Sequence, residues 1–229
     1  LMEMVDGEKV FMATNYRTQA RPAPDPLYLR EAIELLNQAE KPMAVVGSQL
    51  RWSREPIETL KNFMDKTGIP TFVNGMARGM VDPEGPHFLN RSRKVALKKA
   101  DLILIFGTPF DFRLSYGQSK PFYAGNQCGQ SGKVMLMLTQ PKMNTAAKII
   151  QVDLDADEIG RNRIEGVEVG IVGDTGLTLA GLAEGFTGDP SQFDDWNAEM
   201  RTEEEKQWGK MRDQIGAETN PPNPLRVCD

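Results

Sequence analysis

One histidine, His87, serves all 229 residues. That scarcity excludes most histidine-based metal sites and argues against a Ser-His-Asp triad. The two cysteines, Cys128 and Cys228, cannot build a disulfide framework, and their spacing matches no metal motif. No run approaches the ~18 apolar residues of a membrane span. A net charge of -5 removes the basic surface that nucleic-acid binders display. The phosphate-binding fingerprints are missing too. Gly75 and Gly79 lack the G-x-G-x-x-G spacing, and Gly125 to Lys133 fails as a P-loop because Gln127 and Val134 stand where Gly and Ser or Thr are needed. No general acid–base pair stands out, and no nucleophile has a partner base in sequence.

Short apolar runs that end in glycine are what the chain does have. Met43-Ala44-Val45-Val46-Gly47, Ile69-Pro70-Thr71-Phe72-Val73 and Leu102-Ile103-Leu104-Ile105-Phe106-Gly107 read as strands buried on both faces. Helical spacing separates them. Leu29, Ala32, Ile33, Leu36 and Ala39 follow the start signal Asp25-Pro26, and Ile57, Leu60, Phe63 and Met64 follow Ser53 or Pro56. Arg91 to Ala100 reads as a basic helix. The β-α-β-α-β order predicts a doubly wound α/β fold with a parallel sheet. Lys148 to Asp155 and Val167 to Asp174 continue it as strands, with a short helix over 156–161 and a longer one over 175–186. Trp196, Met200, Trp208, Met211 and Ile215 mark an amphipathic helix in the charged tail. Between Gly117 and Lys148 the pattern turns irregular. Val134 to Leu138 there reads either as an extra strand or as an inserted hairpin.

Ligands of open α/β sheets bind outside the carboxyl ends of the strands. Gly107-Thr108-Pro109-Phe110-Asp111-Phe112-Arg113 occupies such a place. It reads as a ligand loop with Asp111 and Arg113 as its polar groups, or as a tight turn carrying a surface ion pair. Asp153 and Asp155 end a strand, where a carboxylate can bind ribose hydroxyls or simply cap the next helix. Asn74 to Gly79 suits close approach to a phosphate or sugar, or is a plain loop. The basic residues Arg91, Arg93, Lys94, Lys98 and Lys99 fit a solvated helix face better than a phosphate site. These features point to nucleotide binding and to no catalysis.

Three strings carry a family resemblance: Gly75-Met-Ala-Arg-Gly-Met80, Asn90-Arg-Ser-Arg-Lys-Val-Ala-Leu-Lys-Lys-Ala-Asp101 and Asp111-Phe-Arg-Leu-Ser-Tyr-Gly117. With Lys41 to Gln49 and Ile150 to Asp155, they resemble the central domain of thiamine-diphosphate-dependent enzymes of the acetolactate synthase and 2-hydroxyacyl-CoA lyase type. The resemblance implies a three-layer, doubly wound, mostly parallel six-stranded sheet of the kind that holds FAD or ADP. It divides the chain into a linker or tail at 1–24, the central domain at 25–187 and a charged helix and linker at 188–229. An insertion at about 118–147 departs from the relatives' short loop. By position, the nucleotide contacts implied are Gly47, Ser48, Gln49, Asn74, Gly75, Met76, Gly107, Thr108, Arg113, Asp153, Leu154, Gly173 and Asp174. Catalytic residues and metal ligands are not implied here. The activating glutamate and the Gly-Asp-Gly magnesium motif that hold thiamine diphosphate belong to flanking domains of a longer parent.

Such a parent cleaves or joins a carbon–carbon bond next to a carbonyl. It is expected to be a homo-oligomer inside the cell, at the endoplasmic-reticulum membrane or in mitochondria or peroxisomes. The first residues, acidic and without an initiator Met at position 1, do not read as a signal peptide and fit a piece of a longer chain. A different class of reading is a free-standing nucleotide-binding regulatory or oxidoreductase module, against which stands the missing fingerprint. A third is an interaction scaffold with a vestigial site.

Overall fold

The computed structural model describes residues 7–9, 18, 20–85, 87–118, 143–163 and 165–216. Five strands form one parallel sheet: β1 (Pro42–Val46), β2 (Thr71–Val73), β3 (Leu102–Phe106), β4 (Lys148–Asp153) and β5 (Val169–Val172), in the order β2-β1-β3-β4-β5. Their apolar runs are continuous because helices cover both faces. Ala44, Val46, Leu104, Phe106, Ile150 and Val152 face α1 (Pro26–Gln38), α2 (Pro56–Thr67) and the later helix α4 (Thr175–Gly185). Met43, Val45, Ile103, Ile105 and Ile149 face α3 (Arg93–Lys99) and α5 (Asp194–Gly216). Two buried clusters therefore lie back to back across the sheet.

Helix ends follow from local chemistry. The Asp25 carboxylate accepts from Leu27 N at 2.8 Å, and Pro26 opens α1 where a missing N–H does no harm. Pro56 opens α2, and Gly68 closes it in the left-handed region at φ 68°. Ser53 does not cap α2. Its hydroxyl donates to Asp174 Oδ1 instead.

Helix α3 is only 7 residues long, and its flanking Ser92 makes no side-chain cap. The cap comes from α5. The buried Glu204 carboxylate accepts from Asn90 N (3.0 Å), Arg91 N (2.8 Å), Ser92 N (2.8 Å) and Ser92 Oγ (2.9 Å). Trp196 Nε1 donates to Pro42 O at 2.9 Å, and Trp196 and Met200 are buried. The Arg91 guanidinium stacks 4.2 Å from the Trp208 ring centre. The tail helix expected from its apolar spacing is thus a docked part of the fold.

The sheet differs from the six strands expected. Among the described residues there are five, and beyond β2 only the Phe72–Leu89 bridge marks where another strand would lie. At that bridge the amides of residues 90–92, which follow Leu89, are bound to Glu204 and are not available for a ladder. Val134 to Leu138, Cys128 and Cys228 lie outside the described residues. The stretch at 143–147 returns the chain to α3, with Asn144 N donating to Leu97 O at 2.7 Å. No helix of the described residues is long and apolar enough to cross a membrane.

Candidate ligand cradle at the carboxyl ends of the strands

A parallel sheet gathers every strand's exit loop at one end. The chain leaves β1 toward β2 and later lays β3 on the other side of β1, so the switch point lies between Gly47 and Gly107. These two loops touch. Gly47 N donates to Phe106 O (2.7 Å), Gln49 N to Gly107 O (3.3 Å) and Gly107 N to Val152 O (2.8 Å). A Cβ on Gly47 would lie 2.5 Å from Gly107 O. Gly107 has φ +55°, and a Cβ there would sit 2.5 Å from Gln49 Cβ and 2.9 Å from Thr175 Oγ1. Both glycines are therefore required by close backbone approach.

Around this contact the sequence-predicted residues form a hydrogen-bonded rim. Gln49 Nε2 donates to Asp153 Oδ1 at 2.7 Å, and Leu154 N donates to Gln49 Oε1 at 3.2 Å. Asp155 N also donates to Asp153 Oδ1, at 2.9 Å. Ser48 Oγ accepts from Met76 N at 3.1 Å, and Asn74 Oδ1 from Gly75 N at 2.9 Å. Thr108 is buried, while Met76 and Leu154 are exposed. Asp155 caps the turn at 156–158 through Asp157 N (3.0 Å), the plain role weighed for it.

Asp153 Oδ2, Asn74 Nδ2 and Thr175 Oγ1, all buried at this end of the sheet, have no partner, and neither has Ser115 Oγ in the loop after β3; the first three sit directly at strand ends or the start of α4. Asp153, Asn74 and Thr175 are each 1% exposed. A buried acceptor or donor left unmet costs about 1–3 kcal/mol. One carboxylate oxygen, one amide and one hydroxyl together suit a ligand with hydroxyl and amine groups.

Other predicted residues are already engaged. Asp174 Oδ1 accepts from Leu177 N (3.0 Å) and Ser53 Oγ (3.0 Å), Oδ2 pairs with Arg21 Nη1 (3.2 Å), and its backbone N donates to Pro22 O (2.8 Å). It caps α4 and fastens the entering chain, and Gly173 packs against Pro24. Arg113 turns back on its own loop. Its Nε and Nη2 donate to Asp111 Oδ2 at 2.8 and 2.5 Å. Burial pushes the Asp111 carboxyl up. The hydrogen bonds and charge of Arg113, with the charge of Arg93, outweigh that and hold it below its ordinary value. The same pairing raises Arg113.

The rest of this loop is braced from the β4–β5 connection. Asn162 Nδ2 donates to Phe110 O at 3.2 Å, and Arg163 Nη1 donates to Gly117 O. Burial, only partly offset by Glu165, pushes Arg163 below its ordinary value. Ser115 and Tyr116 are left-handed at φ 52° and 55°, a strain of roughly 1–2 kcal/mol each.

Sequence reasoning missed Thr175, whose signal was its place directly after the strand-end pair Gly173-Asp174. It also missed Arg93, read as one of a solvated row. Lys94, Lys98 and Lys99 are exposed as expected, but Arg93 is half-buried. One further feature of this end had no sequence signal. Every large apolar side chain exposed among the described residues, from Leu27 and Trp52 to Phe112 and Leu177, lies at or just after a strand's end or in the first turn of α1, α2 or α4.

A family model described as "Thiamine pyrophosphate enzyme, central domain" matches residues 29–182. The chain belongs to this family. This central domain is 31% identical to 2-hydroxyacyl-CoA lyase 2 of Danio rerio over 162 residues, covering 70% of the chain and 22% of that relative. It is 27% identical to 2-hydroxyacyl-CoA lyase 2 of Homo sapiens over 214 residues, covering 91% of the chain and 30% of the relative. Acetolactate synthase large subunit IlvG of Mycobacterium tuberculosis is 28% identical over 208 residues, with 91% and 33% covered. The chain thus spans a third or less of the length of these relatives. A thiamin diphosphate-dependent enzyme from Mycobacterium smegmatis shares the fold at TM-score 0.52 and 20% identity, over 74% of this chain and 30% of that one. The central-domain fold expected from the resemblance is therefore the one found.

Proposed function

We propose that this central domain binds an adenine nucleotide, FAD or ADP, within a thiamine-diphosphate-dependent enzyme that cleaves or joins a carbon–carbon bond next to a carbonyl. The observation that carries the nucleotide reading is Asp153: a carboxylate 1% exposed, with Oδ1 engaged and Oδ2 unpartnered at the end of β4. A ribose hydroxyl is the donor that such an oxygen accepts. Thr175 Oγ1 and Asn74 Nδ2 offer further contacts to the sugar and base.

Thiamine diphosphate supplies the carbanion chemistry of such enzymes. The described residues do not fit it. Among them no three His, Cys, Asp or Glu side chains gather as a metal ligand set, and the carboxylate of Asp174 is used up as cap and brace. We therefore assign thiamine diphosphate and Mg2+ to other parts of a parent enzyme, whose 2-hydroxyacyl-CoA or acetolactate type of substrate follows the names of the relatives.

Calorimetry on the 229-residue chain tests this reading. FAD or ADP should bind, and Asp153→Asn should weaken binding about tenfold or more, the loss expected for a charged hydrogen bond. Thiamine diphosphate should give no heat, and acetolactate formation by the chain alone would refute the assignment. A scaffold role is the second reading, favoured by the Gly47–Gly107 contact that fills the switch point with backbone. Absence of heat with both nucleotides would select it.

A further inference from the structure

We infer that the Gln49 side chain is a latch on the ligand cradle, holding the place of a ligand hydroxyl until a nucleotide displaces it. The inference rests on the nucleotide reading above and adds how that site opens. The Gln49 carboxamide spans the exit of β4. Its Nε2 donates to Asp153 Oδ1 at 2.7 Å, and its Oε1 accepts from Leu154 N at 3.2 Å. An acceptor and a donor side by side are what a sugar hydroxyl uses, because its one oxygen both donates and accepts. The chain's own amide fills both positions.

The burial of Asp153 makes a moving part necessary. Its Oδ2 lacks a partner, yet that atom is buried, so a ligand reaches it only after something moves. The backbone around it is fixed. Gly47 N donates to Phe106 O (2.7 Å), Gly107 N to Val152 O (2.8 Å) and Asp155 N to Asp153 Oδ1 (2.9 Å). Gln49 differs, being a half-buried side chain with other staggered rotamers open to it. Turning it away breaks its two side-chain hydrogen bonds and leaves the backbone in place. Gln49 also stands near the second unpartnered group. A Cβ on Gly107 would lie 2.5 Å from Gln49 Cβ and 2.9 Å from Thr175 Oγ1, so only the space over Gly107 separates the two. A site that must first break its own bonds shows an affinity lowered by the fraction of time it is open. A hydrogen bond to a charged acceptor makes that factor about tenfold or more.

The test is calorimetry with ADP and with FAD on the intact chain, on Gln49→Ala and on Gln49→Met. Alanine keeps the Cβ that packs on Gly107 and loses only the amide. Methionine fills a similar volume without either hydrogen bond, and keeps the test valid if Gln49→Ala fails to fold. Both variants should bind the nucleotide about tenfold or more tightly than wild type. A structural role alone would weaken binding or leave it unchanged. In wild type the Gln49 side-chain amide protons should exchange slowly with solvent in the free chain and quickly once nucleotide is bound, read by NMR. Heat with the variants but none with wild type upholds the latch. Nucleotide binding that is equal or weaker in the variants overturns the latch and leaves the nucleotide reading standing, as do amide protons that stay protected in the complex. No heat with either nucleotide in any of these chains overturns both.

Discussion

Glu204→Ala should destabilise this protein more than any other change to a charged side chain in α5. The carboxylate is 7% exposed and receives three backbone amides and one hydroxyl. Each buried donor left unmet costs about 1–3 kcal/mol, less wherever water reaches it. Loss of a helix cap alone costs about 1 kcal/mol. With partial hydration of the four donors, the expected loss is about 3–5 kcal/mol, at the upper end of single substitutions. For a chain of this size each kcal/mol lowers the melting temperature by about 2–4 °C, so the midpoint should fall roughly 10 °C. Urea unfolding followed by far-UV circular dichroism reads the free energy. Glu204→Gln keeps one acceptor oxygen but turns an amide toward the donors, and should fall between wild type and Ala. In a double-mutant cycle with Ser92→Ala, the two losses should not add. A loss below about 1 kcal/mol for Glu204→Ala would refute the reasoning, because it would mean that α5 does not unfold with the rest of the domain.

Two other expectations follow from local geometry. Gly107→Ala places a Cβ 2.5 Å from Gln49 Cβ at φ +55°, and should cost about 2–4 kcal/mol by denaturant titration while displacing Gln49 from Asp153. The Asp111 carboxyl titrates lower in the folded chain than its ordinary 3.8. Its contribution to stability is therefore complete above that value and is lost as pH falls through the lower folded value. Asp111→Asn should flatten that acid limb in unfolding curves, and a variant with the same acid limb as wild type would show that the Arg113 pairing adds nothing.

The layered fold was legible because its signals are local. Leu102 to Phe106 is apolar throughout since both faces are covered, and Asp25-Pro26 carries its own helix start. The strand-end residues were legible too, from the rule that parallel strands exit on one side, and Gln49, Asn74 and Asp153 do gather there. What escaped depends on partners far along the chain. Ser53 looks like a helix cap until Asp174, 121 residues later, claims its hydroxyl. Arg93 looks like its neighbour Lys94 until the fold half-buries it and burial pushes its guanidinium below its ordinary value. Glu204 is one acid in Glu203-Glu204-Glu205, and only its place four residues from both Met200 and Trp208, on the apolar face, marks it as the buried one; what it binds there has no signal in that run. At the Phe72–Leu89 bridge, too, only the folded clasp shows that the amides at 90–92 are spoken for.

The clasp also sets an order of events during synthesis. The amides just before α3 wait for an acceptor that lies 112 residues downstream of Ser92. At about 5–20 residues per second, that interval is roughly 6–22 s. A helix of 7 residues does not hold its shape alone in water over such a time. Until Glu204 emerges, the chain carries β1 and β3 with one face of their sheet still uncovered by α5. The last helix of the described residues is therefore the one that closes the first half of the domain, and a ribosome stalled before it would present an apolar sheet face to whatever holds nascent chains.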